Sequence, residues 1–404
     1  MKSTIMEKSN EAFQTAKLTS YWLYLAGIPE AVEYAKLIGI DATDPSVIPY
    51  HEVMCEINPI IHEIRYKAIN EHIRSSGCRN VLDIACGYSP RGMLLAREGY
   101  HYIGLDLPVV AEQVAPAVRD AGLSGLSYIG ADATDYDSLK AAAEGLEGPL
   151  CIVIEGLTMY LSETDVAAVL SNAARLMRLH EGSVLITTDP GFGYIFVEVI
   201  KATRPPERFM ETIGMLFGMY QWASDGGLTT QTEKRTLESE IERYRKYGLS
   251  AKAVPLFEKD IPMLTIDGRA EPSRQMLRNS LSLPNIFEAE AVTAAETELT
   301  AGQEEREFSL RYEIKDHVLQ IFLSGRVDSV TSPQLLACVE DHGHAVSSVL
   351  VDLSEVDYVS AAGKRSFNLI RRDFPDKPLN LIGMNEKIGK ILDQDDIMGN
   401  MKQL

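Results

Sequence analysis

Acidic side chains end the first three apolar runs of a repeating pattern in the middle of the chain. Asp83 lies within NVLDIACG, Asp106 closes HYIGLD, and Asp132 closes LSYIGAD. A carboxylate after a second parallel strand can accept both hydroxyls of a ribose, and one after the third strand can accept from an exocyclic adenine amine. The three positions predict a site for an adenosine without phosphates. Taken singly, each acid could instead solvate a loop or cap a helix.

The turn after the first run combines small residues with one glycine. Ala85 and Gly87 lead toward Arg91, where the next helix is predicted to begin. Backbone at a helix N-terminus can approach a ligand closely. One glycine stands where a nucleotide fingerprint would carry three, so the spacing disfavours a pyrophosphate cradle.

Two further positions carry side chains with chemical potential. A fourth apolar run ends at Glu155, and Tyr160 follows within IEGLTMYLS. Tyr160 could orient a substrate oxygen or fill the floor of a pocket. Upstream, Arg65 in INPIIHEIRYKAI could clamp a carboxylate bidentately or lie on the surface of an amphipathic helix. The sequence leaves both pairs of alternatives open.

The surrounding elements predict a parallel α/β sheet. Five buried-strand runs alternate with helical stretches, which is typical of strands joined by right-handed crossovers. Helical periodicity covers residues 1–78 before the first run. After Pro190 come an apolar helix, a charged helix and two more strand candidates, LSAKAVPL and IPMLTIDG.

The block EGLTMYL resembles the EGxxMYL motif of leucine carboxyl methyltransferases and their bacterial relatives, the polyketide-synthesis O-methyltransferases. The turn ACGYSPR matches the spacing of that family's GAGxDTR-type turn, including its closing arginine. Asp106-Leu107-Pro108 matches its acid followed by Leu-Pro. The resemblance covers about residues 50–265, and Ala85 stands at a typical glycine position.

The resemblance implies an S-adenosylmethionine-dependent methyltransferase with the seven-stranded class I, Rossmann-like fold, which releases S-adenosylhomocysteine. Arg65 lies where the family carries a basic residue, and Asp83 enters only through its place at a strand end. The implied catalytic residues are Glu155, Tyr160 and Arg65. The implied cofactor-binding residues are Asp83, Ala85, Gly87, Arg91, Asp106, Leu107, Asp132, Ala133 and Glu155.

Methyl transfer from a sulfonium is an in-line displacement, so alignment and exclusion of water suffice and no metal is expected. A carboxylate acceptor needs no base, whereas a phenol or alcohol benefits from one. No histidine lies within the matched motifs, which favours a carboxylate or an acidic hydroxyl on a small molecule. The stretch RFMETIGMLFGMYQW could form a substrate lid or a buried core or dimer helix.

Residues 306–404 show a second α/β pattern of hairpin, helix, strand, helix and strand. The strings LSGRVDS, VDLSEVDY and LIGMN resemble a STAS domain, the fold of anti-sigma factor antagonists. That family's phosphoacceptor segment, Asp-Ser-Ser-Gly, here reads Ser360-Ala361-Ala362-Gly363. The resemblance therefore implies a surface for regulation, dimerisation or partner binding without the usual phospho-switch. Ser360 could still receive phosphate, or it could cap a helix.

The predicted organisation is a methyltransferase domain over residues 1–268, with a helical N-terminal segment and a lid, a linker over 269–305, and a small α/β STAS domain over 306–404. The leading function is an O-methyltransferase of small molecules, with a STAS domain for regulation or dimerisation. The alternative is a signalling protein whose STAS domain binds a partner and whose methyltransferase fold senses S-adenosylmethionine or is inactive.

The composition of the chain limits the classes of partner that it is expected to bind. The 404 residues carry 39 basic and 58 acidic side chains, a net charge of −19, which argues against general binding to nucleic acid or anionic membrane. The sequence shows neither a signal-peptide core nor the ~18 apolar residues of a membrane span, so a cytoplasmic protein is expected. Five scattered cysteines without a CxxC pair indicate no disulfide framework. The cluster DHGH at 341–344 favours an exposed helix end over a metal site.

Overall fold

The computed structural model describes residues 12–223, 236–282, 284–292, 308–327, 331–359, 361–385, 388–389 and 392. The chain divides into two compact units. The first comprises Met1–Tyr160 with Ala167–Thr297, and the second comprises Leu161–Val166 with Glu298–Leu404. Within the described ranges, no helix is both long and apolar enough to cross a bilayer.

Helices and strands alternate through most of the first unit. The strands are β1 (Asn80–Ile84), β2 (His101–Asp106), β3 (Leu126–Gly130), β4 (Leu150–Ile154), β5 (Val184–Thr187), β6 (Leu249–Pro255) and β7 (Pro284–Ala291). The helices are α1 (Ala12–Leu25), α2 (Pro29–Leu37), α3 (His51–Ser75), α4 (Arg91–Arg97), α5 (Pro108–Ala121), α6 (Tyr136–Ala142), α7 (Glu163–Leu179), α8 (Phe192–Thr203), α9 (Phe209–Ala223), α10 (Leu237–Lys246) and α11 (Ser273–Ser280).

The seven strands form one sheet in the order β3-β2-β1-β4-β5-β7-β6. The first five strands of that order are parallel, and β7 is antiparallel to both β5 and β6. Every residue of β4 is buried, as expected for a central strand covered on both faces. The mixed α/β fold with a mainly parallel, seven-stranded sheet is therefore confirmed.

The direction of the strand order reverses between β1 and β4. The chain moves from β1 outward to β2 and β3, then crosses to β4 and continues outward to β5 on the other side. The connections that follow β1 and β4 therefore lead in opposite directions. In open parallel sheets this divergence leaves a crevice outside the carboxyl ends of the strands, where ligands bind.

Helices precede the sheet, as the periodicity of the N-terminal segment predicts. α3 is 25 residues long and continues through Pro59. It contacts α1, α8 and β5, and buries most of its residues from Ile57 to Ile73. This long buried helix brings polar side chains of its own to the carboxyl edge of the sheet.

The linker prediction is wrong for residues 273–280 and 284–291, which form α11 and β7. In PNIFEAEA, Phe287 and Ala289 are buried while Glu290 is exposed. The alternation of alanine and glutamate is thus a strand pattern, although its composition is typical of a solvated tether. Residues 283 and 293–305 of the predicted linker lie outside the described residues.

The strand predicted at IPMLTIDG is also wrong, because residues 261–263 are irregular and residues 264–268 form turns. Glu63 of α3 accepts hydrogen bonds there from the N–H groups of Leu264 and Thr265, at 2.6 and 2.7 Å. Met263 and Ile266 are buried, so the apolar residues of this stretch fill the core without joining the sheet.

The second unit has its own sheet and core. Its elements are β8 (Ser309–Lys315), β9 (Val318–Val327), α12 (Ser332–His342), β10 (Ser348–Val359), α13 (Ala361–Asp373) and β11 (Leu379–Ile382). The strand order is β11-β10-β9-β8, with an antiparallel β8–β9 hairpin and otherwise parallel pairs. The predicted succession of elements is confirmed. The left-handed turn residues are Asp316 and His317, one position later than predicted, and Ser360 lies outside the described residues.

Candidate active site

The guanidinium of Arg91 lies buried at the carboxyl edge of the sheet, at the start of α4. Its three nitrogens donate to Asn70 Oδ1 at 2.9 Å, Asp83 Oδ2 at 2.8 Å and Glu155 Oε2 at 2.6 Å. The side chain is 1% exposed. Charged hydrogen bonds of this kind are the stronger ones, so Arg91 joins the ends of β1 and β4 to α3.

Asp83 faces the interior of the molecule. Its Oδ2 also accepts from the Tyr102 hydroxyl at 2.8 Å, and the residue is 1% exposed. Burial raises the pKa of Asp83, although Arg91 acts in the opposite direction. The described contacts of this carboxylate are thus with the chain itself, and a contact with the cofactor stays a prediction.

Arg65 is buried, so the surface alternative is wrong. Its Nε donates to Thr188 Oγ1 at 3.1 Å and lies 3.5 Å from Glu155 Oε1. Burial raises the pKa of Glu155, but Arg65 and Arg91 outweigh burial and hold it below its usual range. Glu155, whose side chain is 15% exposed, is therefore anionic at neutral pH between two guanidiniums.

The turn after β1 wraps around the carboxylate of Asp106. Asp106 Oδ2 accepts from the Gly87 N–H at 2.7 Å, and Oδ1 accepts from the Leu107 N–H at 2.8 Å. Burial raises the pKa of Asp106 to about 6. Ala85 and Gly87 both have left-handed backbone, with φ of 56° and 54°, a conformation that favours glycine.

Asp132 orders the loop that follows β3. Its Oδ1 accepts from the N–H and the hydroxyl of Thr134, both at 2.8 Å. The carbonyl of Ala133 accepts from Asn172 Nδ2 at 3.1 Å. Asp132 thus makes the local turn contacts of an aspartate, and its contact with an adenine amine stays a prediction.

Asp189, which is not among the predicted site residues, holds the loop that carries Tyr160. Asp189 Oδ1 accepts from the Gly156 N–H at 2.6 Å, and Oδ2 accepts from the N–H groups of Leu157 and Thr158 at 3.0 and 2.9 Å. Tyr160 follows in a short 3-10 helix, Thr158–Tyr160. The available signal was the acid after the fifth apolar run, in LITTDP.

A buried polar cluster, also absent from the predicted site, is formed by Asn58, His62 and Tyr220. His62 is 3% exposed on α3, and its Nε2 lies 3.4 Å from Tyr220 Oη. The Tyr220 hydroxyl donates to Asn58 Oδ1 at 3.4 Å. Among the described residues, His62 Nδ1 has no hydrogen-bond partner. Burial, with Arg65, lowers the pKa of His62 to about 3, against the opposing charge of Glu155.

The spacing of Asn58, His62 and Arg65 could have revealed this cluster. Residues i, i+4 and i+7 share one face of a helix. The preference for a carboxylate acceptor was based only on the absence of histidine from the matched motifs. α3 now brings a histidine to Glu155 from outside the motifs.

α9, the predicted lid, has two apolar faces. Leu216, Met219 and Tyr220 are buried, whereas Met210 is 73% and Phe217 47% exposed. One face of α9 is therefore part of the core. The exposed face could still cover a substrate, as a lid would. The side chain of Trp222 lies outside the described residues. No group of three or more His, Cys, Asp or Glu side chains in the described ranges could hold a metal ion.

No protein-family model matches the chain, and no curated protein matches it. An O-methyltransferase from neocarzinostatin biosynthesis, in complex with S-adenosylmethionine and 2-hydroxy-5-methyl naphthoic acid, is 16% identical with a TM-score of 0.35, over 62% of this chain and 59% of that one. An O-methyltransferase family protein from Burkholderia thailandensis is 12% identical with a TM-score of 0.33, over 61% of each chain. LepI, in complex with SAH and a substrate analogue, is 17% identical with a TM-score of 0.28, over 43% and 38%. The chain spans less than two thirds of the length of each of these structures.

Proposed function

We propose that the first unit is an S-adenosylmethionine-dependent O-methyltransferase, which transfers a methyl group to a carboxylate or acidic hydroxyl of a small molecule. The observation that carries the proposal is the set of carboxylates at the carboxyl edge where the strand order reverses. Asp83 lies one residue before the end of β1, Asp106 ends β2, and Glu155 follows β4. An anionic edge suits a cationic sulfonium cofactor and opposes one with phosphates.

The residues around Asp106 fit the nucleoside half of this cofactor. Each oxygen of Asp106 accepts one backbone N–H, and a carboxylate oxygen has a second acceptor position. Those two positions would take the ribose hydroxyls, and the side chain is partly exposed. The backbone of Ala85 and Gly87, with Leu107, would border the ribose. Asp132 and Ala133 would meet the adenine at the end of β3.

Glu155 fits the methionine half. Its carboxylate is held anionic by Arg65 and Arg91 and could accept from the ammonium group of the cofactor. Arg91 and Asp83 are both buried beneath it, so their role would be to fix the position of Glu155. The bound cofactor supplies an electrophilic methyl group on sulfur.

The remaining predicted residues would position the acceptor. Arg65 is oriented by Thr188, and Asp189 fixes the loop before Tyr160. Burial raises the pKa of Tyr220, and the nearby Tyr160 raises it further. Tyr160 therefore lies close to Tyr220. Held in this way, Tyr160 could orient an acceptor oxygen toward the methyl carbon, which is the main task of the enzyme in an in-line displacement.

Calorimetric titration with S-adenosylmethionine and S-adenosylhomocysteine tests the cofactor site. We expect both to bind to the wild type and to bind weakly to Asp106→Ala, because the ribose hydroxyls lose their acceptor. Asp120→Ala, at an exposed position of α5, is the matched control and should bind as the wild type does. No binding to the wild type would contradict the proposal.

Turnover is tested with tritiated S-adenosylmethionine and a small-molecule cell extract. We expect label to enter a product with the wild type and with Asp120→Ala, and not with Asp106→Ala. Binding of the cofactor without label in any product would favour a sensor over an enzyme.

For the second unit we propose a STAS domain that regulates the enzyme or joins two copies of it. Support comes from its own buried core, which includes Leu319, Val351 and Phe367, and from its hairpin and succession of helices. Sedimentation of the full chain and of a chain shortened to residues 1–305 tests dimerisation. We expect a dimer only with the second unit present. If the full and the shortened chain have the same oligomeric state, the second unit does not join two copies, and partner binding remains as the role to test.

A further inference from the structure

Resting on the proposed function, we infer the chemical class of the acceptor and the group that receives its proton. We propose that Nδ1 of His62 accepts the proton of a hydroxyl group on the methyl acceptor, so that the product is a methyl ether and not a methyl ester.

The hydrogen bonds around His62 define which ring nitrogen is the acceptor. Asn58 Nδ2 donates to the Met54 carbonyl at 3.2 Å, which turns Asn58 Oδ1 toward Tyr220. The Tyr220 hydroxyl donates to that oxygen, so its own oxygen can only accept from His62 Nε2. In neutral imidazole one nitrogen donates and the other accepts. Nδ1 is therefore the bare acceptor.

This bare nitrogen is buried where a polar ligand is needed. His62 is 3% exposed, and Nδ1 has no hydrogen-bond partner among the described residues. A buried polar atom without a partner is destabilising, so such an atom calls for an explanation. His62 precedes Arg65 on the same face of α3, and Arg65 contacts Glu155. A hydroxyl bound near Glu155 would supply the missing donor.

The charges at this edge favour a neutral acceptor over a carboxylate. Arg65 lies between Glu155 and Asp189, at 3.5 and 3.8 Å, while Arg91 pairs with Asp83 and Glu155. Two guanidiniums thus face three carboxylates. A carboxylate acceptor would be a fourth carboxylate beside these two guanidiniums, whereas a hydroxyl acceptor adds no negative charge to the edge.

The atoms and charges balance in one step. The acceptor oxygen forms a bond to the methyl carbon, the carbon–sulfur bond breaks, and its electron pair remains on sulfur as a thioether. The hydroxyl proton passes to His62 Nδ1, so the positive charge of the sulfonium is replaced by an imidazolium near Glu155. Because the pKa of resting His62 is about 3, the imidazole is a weak base, and a phenolic or enolic hydroxyl suits it best.

The first test determines whether the product is a methyl ether or a methyl ester, and it does not require the product to be identified. Tritiated S-adenosylmethionine, the wild-type full chain and a small-molecule extract give labelled product, which is then treated with alkali. A methyl ether keeps its label, whereas a methyl ester releases it as volatile methanol. Retained label is expected. Release of the label as methanol would overturn the inference and leave the proposed methyltransferase intact, whereas absence of any labelled product contradicts the proposed function itself.

The second test distinguishes the roles of the two ring nitrogens of His62. In His62→Asn the amide lies near the place of Nδ1, and in His62→Gln it lies near the place of Nε2. We expect His62→Gln to lower kcat by about 100-fold, as the loss of a general base does. His62→Asn keeps an acceptor atom at the site and should retain a lower apparent KM for the acceptor than His62→Gln, measured from label incorporation as the amount of extract is varied. His101→Gln, at an exposed position of β2, is the control.

Calorimetry of S-adenosylhomocysteine with each variant shows whether the cofactor site is preserved. Unchanged affinity with reduced turnover in His62→Gln supports the inference. Wild-type turnover in His62→Gln would overturn it. If that variant does not fold, the alkali treatment of the wild-type product decides the question alone.

Discussion

At the residue scale, the stability of the carboxyl edge depends on the Arg91 guanidinium. Its removal would leave Asp83 buried and without its charged partner, and breaking such a pair costs about 3–5 kcal/mol. We expect Arg91→Ala to lower the free energy of unfolding by that amount in urea titrations. Arg97→Ala, on the same helix, removes an exposed pair with Glu33 and should cost about 0–1 kcal/mol. Equal losses in the two variants would contradict the role of burial.

Asp106 gives a prediction for the pH dependence of cofactor binding. Its pKa is raised to about 6, so the carboxylate gains a proton as the pH falls through 6 and then accepts ribose hydroxyls less well. We expect the Kd for S-adenosylmethionine to rise as the pH is lowered from 8 to 5, measured by calorimetry. Asp106→Asn should bind weakly with a much flatter profile. A pH-independent Kd for the wild type would contradict this assignment.

At the element scale, helix α1 lies against the turn that follows β1. A Cβ on Gly87, whose φ is +54°, would lie 3.0 Å from the Cβ of Ala16 in α1. We expect Gly87→Ala to lower the free energy of unfolding by about 1–3 kcal/mol and to weaken cofactor binding. Gly145→Ala is the matched control, because its φ is +81° but nothing lies within 4 Å. A difference between the two in thermal unfolding measures the contact with α1.

His72 connects α3 to the antiparallel end of the sheet. Its Nδ1 lies 2.7 Å from Glu288 Oε1, and Nε2 lies 3.1 and 3.2 Å from the carbonyls of Pro255 and Leu256. Acceptors on both sides require a protonated ring. Burial lowers the pKa of His72, but Glu288 and the carbonyls outweigh burial and raise it.

The sign of the pH dependence follows from that raised pKa. The stabilisation by His72 is fully present below its unfolded pKa of about 6.5 and is lost as the pH rises through the folded value. We expect the free energy of unfolding to fall between pH 6.5 and 9, and His72→Gln to reduce this slope, in denaturant titrations at each pH. The pKa of Glu288 is lowered to about 2, so its share is lost below about pH 4.5.

At the scale of the whole molecule, the proposed cofactor site belongs to the first unit alone. Every predicted cofactor residue lies between Asp83 and Glu155, and all seven strands of the first sheet lie before residue 292. We therefore expect a chain shortened to residues 1–305 to bind S-adenosylhomocysteine with the affinity of the full chain, measured by calorimetry. Loss of binding in a shortened chain that still unfolds cooperatively would show that the second unit contributes to the site.

Much of this architecture could be predicted from the sequence. The five parallel strands could be predicted because each is a short apolar run between helical stretches. The second unit could be predicted because apolar and polar residues alternate along its strands. β7 was missed because its alanines are small enough to bury without a hydrophobic signal, and Glu288 and Glu290 made it resemble a tether. IPMLTIDG was misassigned because buried apolar residues do not by themselves specify a strand.

The candidate site could also be predicted only in part from the sequence. Asp106 and Glu155 could be found because both stand at strand ends, where topology alone brings them to one edge. The helical spacing of His62 and the place of Asp189 after the fifth apolar run mark both as candidates, but their partners could not be predicted. Their positions depend on how α3 packs across the sheet and how the end of β5 meets the loop after β4, and local sequence does not encode these tertiary contacts.

The place of β7 in the first sheet also has a consequence for biosynthesis. β7 is last of the seven strands in the chain, yet it lies between β5 and β6, so β6 leaves the ribosome before the strand that joins it to the sheet. Until Pro284–Ala291 has been synthesised, β6 must remain without its native pairing, and an unpaired strand can pair wrongly. Translation that stops between α11 and β7 would therefore yield a nascent protein with an incomplete sheet, even though every proposed cofactor residue had already been made.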